Sequence, residues 1–196
     1  MTPDQKKILK FIEVLDQFKF ITRIIDLQKE DTSEDDAQHS WHLAMMVWLF
    51  APHFEEKIDL EKAIKMALMH DLPEIYAGDT FFYDDEARKT KKQRENNAAK
   101  KLFKMLPRFS KQEIHLLWEE YEGLSSPESR LVQAMDKIHP IIEINLGKGK
   151  TWHKHKITEK MIRERKTSYT QGSKFFTSLF NTILKEARKN GHTYKG

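Results

Sequence analysis

Residues 66 to 79, MALMHDLPEIYAGD, crowd His70, Asp71, Glu74 and Asp79 into the end of an otherwise apolar helical segment. Apolar residues recur at Leu60, Ala63, Ile64, Ala67 and Leu68, the spacing of a helix lying on a core. The next position on that stripe is Asp71. A carboxylate there is costly unless it is paired, protonated or bound to a metal. His70 offers an imidazole at the same depth. Pro73 disfavours helix at Leu72 and can open a fresh turn that carries Glu74. Gly78 permits a tight bend before Asp79. A single His-Asp pair is equally a surface pair or a hydrogen-bonded core pair, so the other elements must decide between these readings.

The second helix, roughly residues 35 to 51, has the stripe Leu43, Met46, Val47 and Phe50. One turn back, the stripe lands on His39, near the helix start, where a side chain can reach a neighbouring helix end; a satisfied core histidine is the plain alternative. His42 lies on the next row, and His53 falls in a solvent-facing connection after Pro52. The polar stretch KEDTSEDD, residues 29 to 36, supplies caps for this helix. Ahead of it come a first helix over 4 to 19 and the segment FKFITRIID, which sets Arg23 beyond an apolar patch. By itself Arg23 reads as a surface arginine.

Downstream, Ser126-Pro127-Glu128 starts a helix with proline in its first turn, and Leu131, Met135, Ile138 and Ile142 form its stripe. Asp136 sits on the flank of that stripe, where a surface pair with Lys137 is the alternative reading. Phe81, Phe82 and Tyr83 read equally as core or as a pocket wall. The following helix buries Ala98, Ala99, Leu102, Phe103 and Leu106, and the basic run from Arg88 to Lys101 reads as its solvated side. Ser110 is expected to cap a helix carrying Ile114, Leu117, Trp118 and Tyr121, which Gly123 ends. Gly147 and Gly149 break the chain. TWHKH, residues 151 to 155, is a loop or helix start, and its two histidines, at i and i+2, share no helix face. Helices over about 156 to 168 and 173 to 189 follow. Phe175, Phe176, Leu179, Phe180 and Ile183 give the last one a broad apolar face that closes the bundle or meets a second subunit.

The 196 residues fit one domain with a proper core. Without cysteine, disulfides and thiolate zinc sites are excluded, and a reducing cytoplasm is compatible. No apolar run is long enough for a membrane helix, and MTPDQKKILK does not read as a signal peptide. The net charge of +4 is too mild for coating a nucleic-acid polymer but suits small anionic substrates. Few Gly and Pro, with many Lys, Glu, Leu and Ala, point to an all-α chain.

His39, the His70-Asp71 pair and Asp136 thus lie on three core-facing helices. Two imidazoles and two carboxylates suit one divalent ion of the Mn, Co, Fe, Ni or Zn kind better than Mg. In order and type, these residues resemble the H...HD...D signature of the HD-domain metal-dependent phosphohydrolase superfamily. The stretches QHSWHLAMM, HDLPEIYAGD and SPESRLVQAMDK are similar to segments of the HD-domain 5'-deoxynucleotidases. The resemblance covers roughly residues 10 to 145.

It implies a single helical bundle of the HD type over residues 1 to 196, with the motif core at about 20 to 145. It also implies a cytoplasmic homodimer acting on a nucleoside monophosphate. His39, His70, Asp71 and Asp136 would bind the metal, Glu74 and Asp79 would be the catalytic acids and Arg23 would hold substrate. That family often has a tryptophan after the arginine; here it is Ile24, which bears on sugar and base recognition. The guanosine tetraphosphate hydrolases of the superfamily carry Glu-Asp after the HD pair, whereas this chain has Glu74-Ile75. Another phosphatase or phosphodiesterase on the same scaffold, or a non-catalytic nucleotide-sensing module, is the alternative.

Overall fold

A computed structural model describes residues 1–28 and 32–196, so residues 29 to 31 of the acidic stretch lie outside it. Helix α1, Pro3–Leu15, starts from Thr2, whose side chain forms a capping box with Gln5. It gives way to a 3-10 turn over Asp16–Phe20, so the expected first helix is two elements. Strands β1, Thr22–Asp26, and β2, Ser33–Asp35, then pair antiparallel, with Thr22 opposite Asp35 and Asp26 opposite Ser33. This small hairpin is an addition to the all-α expectation. FKFITRIID is too short and too irregular in polarity for its strand to stand out.

Three helices form the centre: α2, Asp36–Phe50, α3, Leu60–Met69, and α7, Pro127–Leu146. Asp35, Asp59 and Ser126 cap them. Val47, Met66, Ala67, Leu131, Met135 and Ile138 fill the space between them with no exposed surface. Leu68, placed in the α3 stripe above, is in fact 47% exposed; Met66 and Met69 take the inner positions, and His70 follows them inward. After a turn comes the short α4, Glu74–Ala77, ended by Gly78 at φ 73°.

Helix α5, Asp85–Phe103, and α6, Arg108–Gly123, build a second cluster with α1 around Leu102, Phe103 and Trp118. Helix α6 begins after Pro107 rather than at Ser110, because proline fits a helix start and leaves no amide unsatisfied there. Helix α8, Lys150–Lys154, α9, Glu159–Thr170, and α10, Lys174–Lys189, fold back onto α7. They bury Trp152, Ile162, Phe180 and Leu184. The face around Phe176 is therefore not spare: Phe176 is fully buried in the central cluster, and only Phe175 at its edge is 39% exposed. Among the described residues, no helix is long and apolar enough to cross a membrane.

Candidate metal centre

The end of α3, the first turns of α2 and the middle of α7 meet at one point. His39 Nε2 lies 3.2 Å from Asp136 Oδ1 and 3.8 Å from Asp71 Oδ2. His70 Nε2 lies 3.0 Å from Asp71 Oδ2 and 3.9 Å from Asp136 Oδ1. The helices thus bring together the four side chains singled out in the sequence, and Asp136 is a buried member rather than a surface one.

The proton positions tell what this corner can hold. His70 Nδ1 lies 2.9 Å from the Ala67 carbonyl, which can only accept, so Nδ1 carries the proton. Nε2 of the neutral ring then presents a lone pair to Asp71 Oδ2, and it is buried without a hydrogen-bond partner. Two lone pairs at this separation repel unless a proton or a cation stands between them. Burial alone lowers the His70 pKa, but Asp71 and Asp136 outweigh it and the value is raised. Asp136 is held well below its ordinary pKa: burial pushes it up, and Lys137, His39 and His70 together pull it further down. Lys137 Nζ at 2.6 Å and the Tyr121 hydroxyl at 3.2 Å occupy Asp136 Oδ2, leaving Oδ1 turned to the imidazoles. Two imidazole nitrogens and two carboxylates around one point fit a borderline divalent ion. His39, His70 and Asp136 offer ligand atoms within 4.8 Å of one another.

Around this point lies a cavity of about 400 Å³. Arg23, on β1, reaches its floor: Nη1 donates to Asp71 Oδ2 at 2.8 Å and to Asp36 Oδ1 at 3.2 Å, and Nε lies 3.4 Å from Glu34. The hairpin therefore turns Arg23 into the cavity lining, with its side chain only 12% exposed. Glu74 is buried, and its pKa is raised well above the usual range by burial and then by Asp71, while Lys91 opposes the shift. Lys91 Nζ donates to Glu74 Oε1 at 3.1 Å; Glu74 Oε2 has no partner among the described residues. Burial also raises Asp79, which stands with Glu74 and Asp36 in one acidic group. Phe81, Phe82 and Tyr83 line the cavity, and Tyr83 also packs against the C-terminal core cluster.

Several residues in or near the cavity had no signal of their own in the sequence. Lys91 and Arg94 sit in the basic run read as solvated, yet Lys91 points to Glu74 and Arg94 Nη2 donates to Thr80 at 2.7 Å. Glu34 stands on β2, and Asp36 opens α2. Lys166 comes from α9, far along the chain, and donates to the Lys137 carbonyl at 3.1 Å. His139 could have been suspected, since it lies one turn after Asp136 on the same helix.

The fold and this corner define a helical protein of the HD type, and the HD domain family model matches residues 15–175. The chain belongs to the HD-domain family of metal-dependent phosphohydrolases. It is similar to 5'-deoxynucleotidase HDDC2 of Bos taurus, 30% identical over 142 residues, covering 70% of this chain and 66% of that protein. The same-named protein of Danio rerio is 31% identical over 137 residues, covering 69% of this chain and 67% of the other. The matched part is thus about two-thirds of those relatives' length. A solved structure described as a "predicted metal-dependent phosphohydrolase" from Magnetospirillum magnetotacticum MS-1 superposes with a TM-score of 0.90 at 30% identity, over 98% of this chain and 96% of that one.

Proposed function

We propose that the protein removes the 5'-phosphate of (deoxy)ribonucleoside 5'-monophosphates, releasing nucleoside and inorganic phosphate. The observation that carries this reading is the pair of imidazole nitrogens and ionised carboxylates converging beside two carboxyls of raised pKa in one cavity. Relatives named 5'-deoxynucleotidase support the substrate class.

His39, His70, Asp71 and Asp136 would hold one divalent ion, with Mn, Co, Fe, Ni or Zn preferred to Mg by the two nitrogens. When bound, such an ion polarises a phosphoryl oxygen and acidifies water, a large part of what so slow a hydrolysis demands. Glu74, with one oxygen free and the other on Lys91, orients the attacking water and takes its proton. Asp79 protonates the departing 5'-oxygen, and burial, by raising its pKa, favours the protonated form this role needs. Arg23 offsets charge on the non-bridging oxygens. The aromatic wall with Ile24 faces the sugar and base.

A phosphate-release screen over nucleotides, sugar phosphates and cyclic nucleotides with each ion tests the reading. Glu74→Ala should keep the ion and lose nearly all turnover; equal activity in this variant rejects Glu74 as base. Binding of nucleotides without turnover under every ion would instead favour a sensing module.

We read the chain as one cytoplasmic domain that pairs as a homodimer. Trp41, Trp48 and Leu49 lie along one side of α2 at 64%, 54% and 63% exposure and offer the contact. Light scattering on Trp48→Glu against the parent chain tests it.

A further inference from the structure

His139, on α7, is fully buried, and its Nδ1 lies 3.0 Å from Nδ1 of His39. Two ring nitrogens at that distance share one proton: one donates and the other accepts. His39 Nε2 faces Asp136 and Asp71. For that nitrogen to offer a lone pair to an ion, the proton of neutral His39 must sit on Nδ1. His139 Nδ1 is then the acceptor, and the proton of His139 sits on Nε2. There it lies between two carboxyl oxygens, 3.6 Å from Glu34 Oε1 and 3.8 Å from Glu143 Oε1. The opposite assignment, His139 donating, drives the His39 proton onto Nε2 and closes that nitrogen to any ion.

We propose that His139 is a positioning residue that fixes the tautomer of His39 through the Nδ1–Nδ1 hydrogen bond. The inference rests on reading His39 as a ligand in the site above. Metal-bound histidines generally have the second ring nitrogen tied down by such a partner. Here the partner is a second imidazole, which can adopt either tautomer and whose Nε2 faces the Glu34 and Glu143 oxygens from beyond hydrogen-bond length.

The same groups suggest a rival reading. His42 Nδ1 lies 3.3 Å from Glu143 Oε1, and His42, His139 and Glu143 could between them hold a second ion. The proton count decides against it. An ion on His139 Nε2 puts the proton of neutral His139 on Nδ1, facing His39, and so disables His39 Nε2. Filling both places at once puts a proton on each of the two facing Nδ1 atoms, so one ring must become an imidazolate or the contact between them must break. The outer group therefore serves the inner site rather than forming its own.

The test is Co²⁺ affinity, read by calorimetry and by the absorption of the bound ion on chelator-stripped protein. His139→Leu cannot accept from His39 Nδ1 and should weaken binding ~10–100-fold. His139→Gln keeps an acceptor oxygen and should recover most of that loss. Equal weakening by both variants, or none by either, overturns the role of His139. If His139→Leu does not fold, the zinc-loaded parent labelled with ¹⁵N-histidine gives the answer directly. His139 should show a bare, accepting Nδ1 and a protonated Nε2, and a protonated His139 Nδ1 overturns the proposal. A parent chain that binds no ion overturns the site itself, a different failure from loss of the His139 effect. His42→Ala should leave the number of bound ions unchanged; loss of one ion per chain favours the second site instead.

Discussion

His70 Nε2 stands 3.0 Å from Oδ2 of Asp71, its own neighbour in the chain, while His70 Nδ1 is committed to the Ala67 carbonyl. Consecutive residues on a helix usually point to different sides. Here they meet because α3 ends at Met69 and the chain turns before Pro73, so Asp71 swings back toward the ring. Without a positive charge between them, this contact works against folding. With one it becomes favourable, which ties stability to occupancy.

An ion that binds the folded chain and not the unfolded one should therefore raise the melting temperature. At an ion concentration of ~100 times Kd the gain is about 2.7 kcal/mol, or roughly 5–10 °C for a domain of this size. Thermal melts with Mn²⁺ or Co²⁺ against a chelated sample measure it. Asp136→Asn should abolish most of the shift. A shift of the same size in that variant would place the ion elsewhere.

Gly149 joins α7 to α8 at φ 75°, and a Cβ there would meet the His192 backbone oxygen at 1.9 Å. Backbone cannot yield as a side chain can. Gly149→Ala should cost about 2–4 kcal/mol, through both the left-handed conformation and the collision. Trp152 on α8 lines the cavity, so the variant should also lose turnover before it unfolds. Urea denaturation alongside activity measures both; an unchanged midpoint would mean that the C-terminal tail packs differently.

How much of this was readable beforehand follows from the range of each signal. His39, His70, Asp71 and Asp136 stand out because each interrupts, or sits beside, a run of apolar residues at helical spacing. Such patterns are local. The hairpin that turns Arg23 inward has too few residues for an alternation to register, so a site arginine looked like a surface one. Lys91 was hidden for the opposite reason: it sits among many lysines, and only the packing of α5 beside α4 distinguishes it. Lys166 and Trp152 enter the cavity only because the last three helices fold back on α7, a tertiary event with no trace in local spacing. Leu68 was misplaced since Met66 and Met69 fit the inner face equally well by hydrophobicity.

Lys166 gives a prediction in pH. Burial, and then the charge of Lys137, lowers its pKa from 10.5 to about 7. Between about 7 and 10.5 the unfolded chain holds this proton and the folded chain has lost it. Stability from this group therefore rises with pH across that window, and the full cost of the buried ammonium is felt below 7. Lys166→Met should stabilise the protein at about pH 6 by on the order of 2 kcal/mol. The advantage should shrink toward about pH 10. Urea midpoints for both chains across that range decide the matter, and a constant gap would show that Lys166 keeps an ordinary pKa.

Lys91 tunes Glu74 by charge. Its ammonium, 3.1 Å from Glu74 Oε1, is the group that opposes the upward push of burial and of Asp71. In the proposed mechanism Glu74 would act as a base only when ionised, so the acid limb of the kcat/KM profile should follow its pKa. Lys91→Met removes the opposing charge and raises that pKa further. The limb should move to higher pH, and activity at pH 7 should fall ~10–100-fold, one to two pK units being tenfold each. Lys91→Arg keeps a positive charge at the same carboxyl and should shift the limb far less. The loss in Lys91→Met should be recovered at alkaline pH, which separates a change of pKa from a damaged fold. A limb that stays in place while activity falls at every pH would remove Glu74 from the role of base and leave Lys91 as a substrate contact.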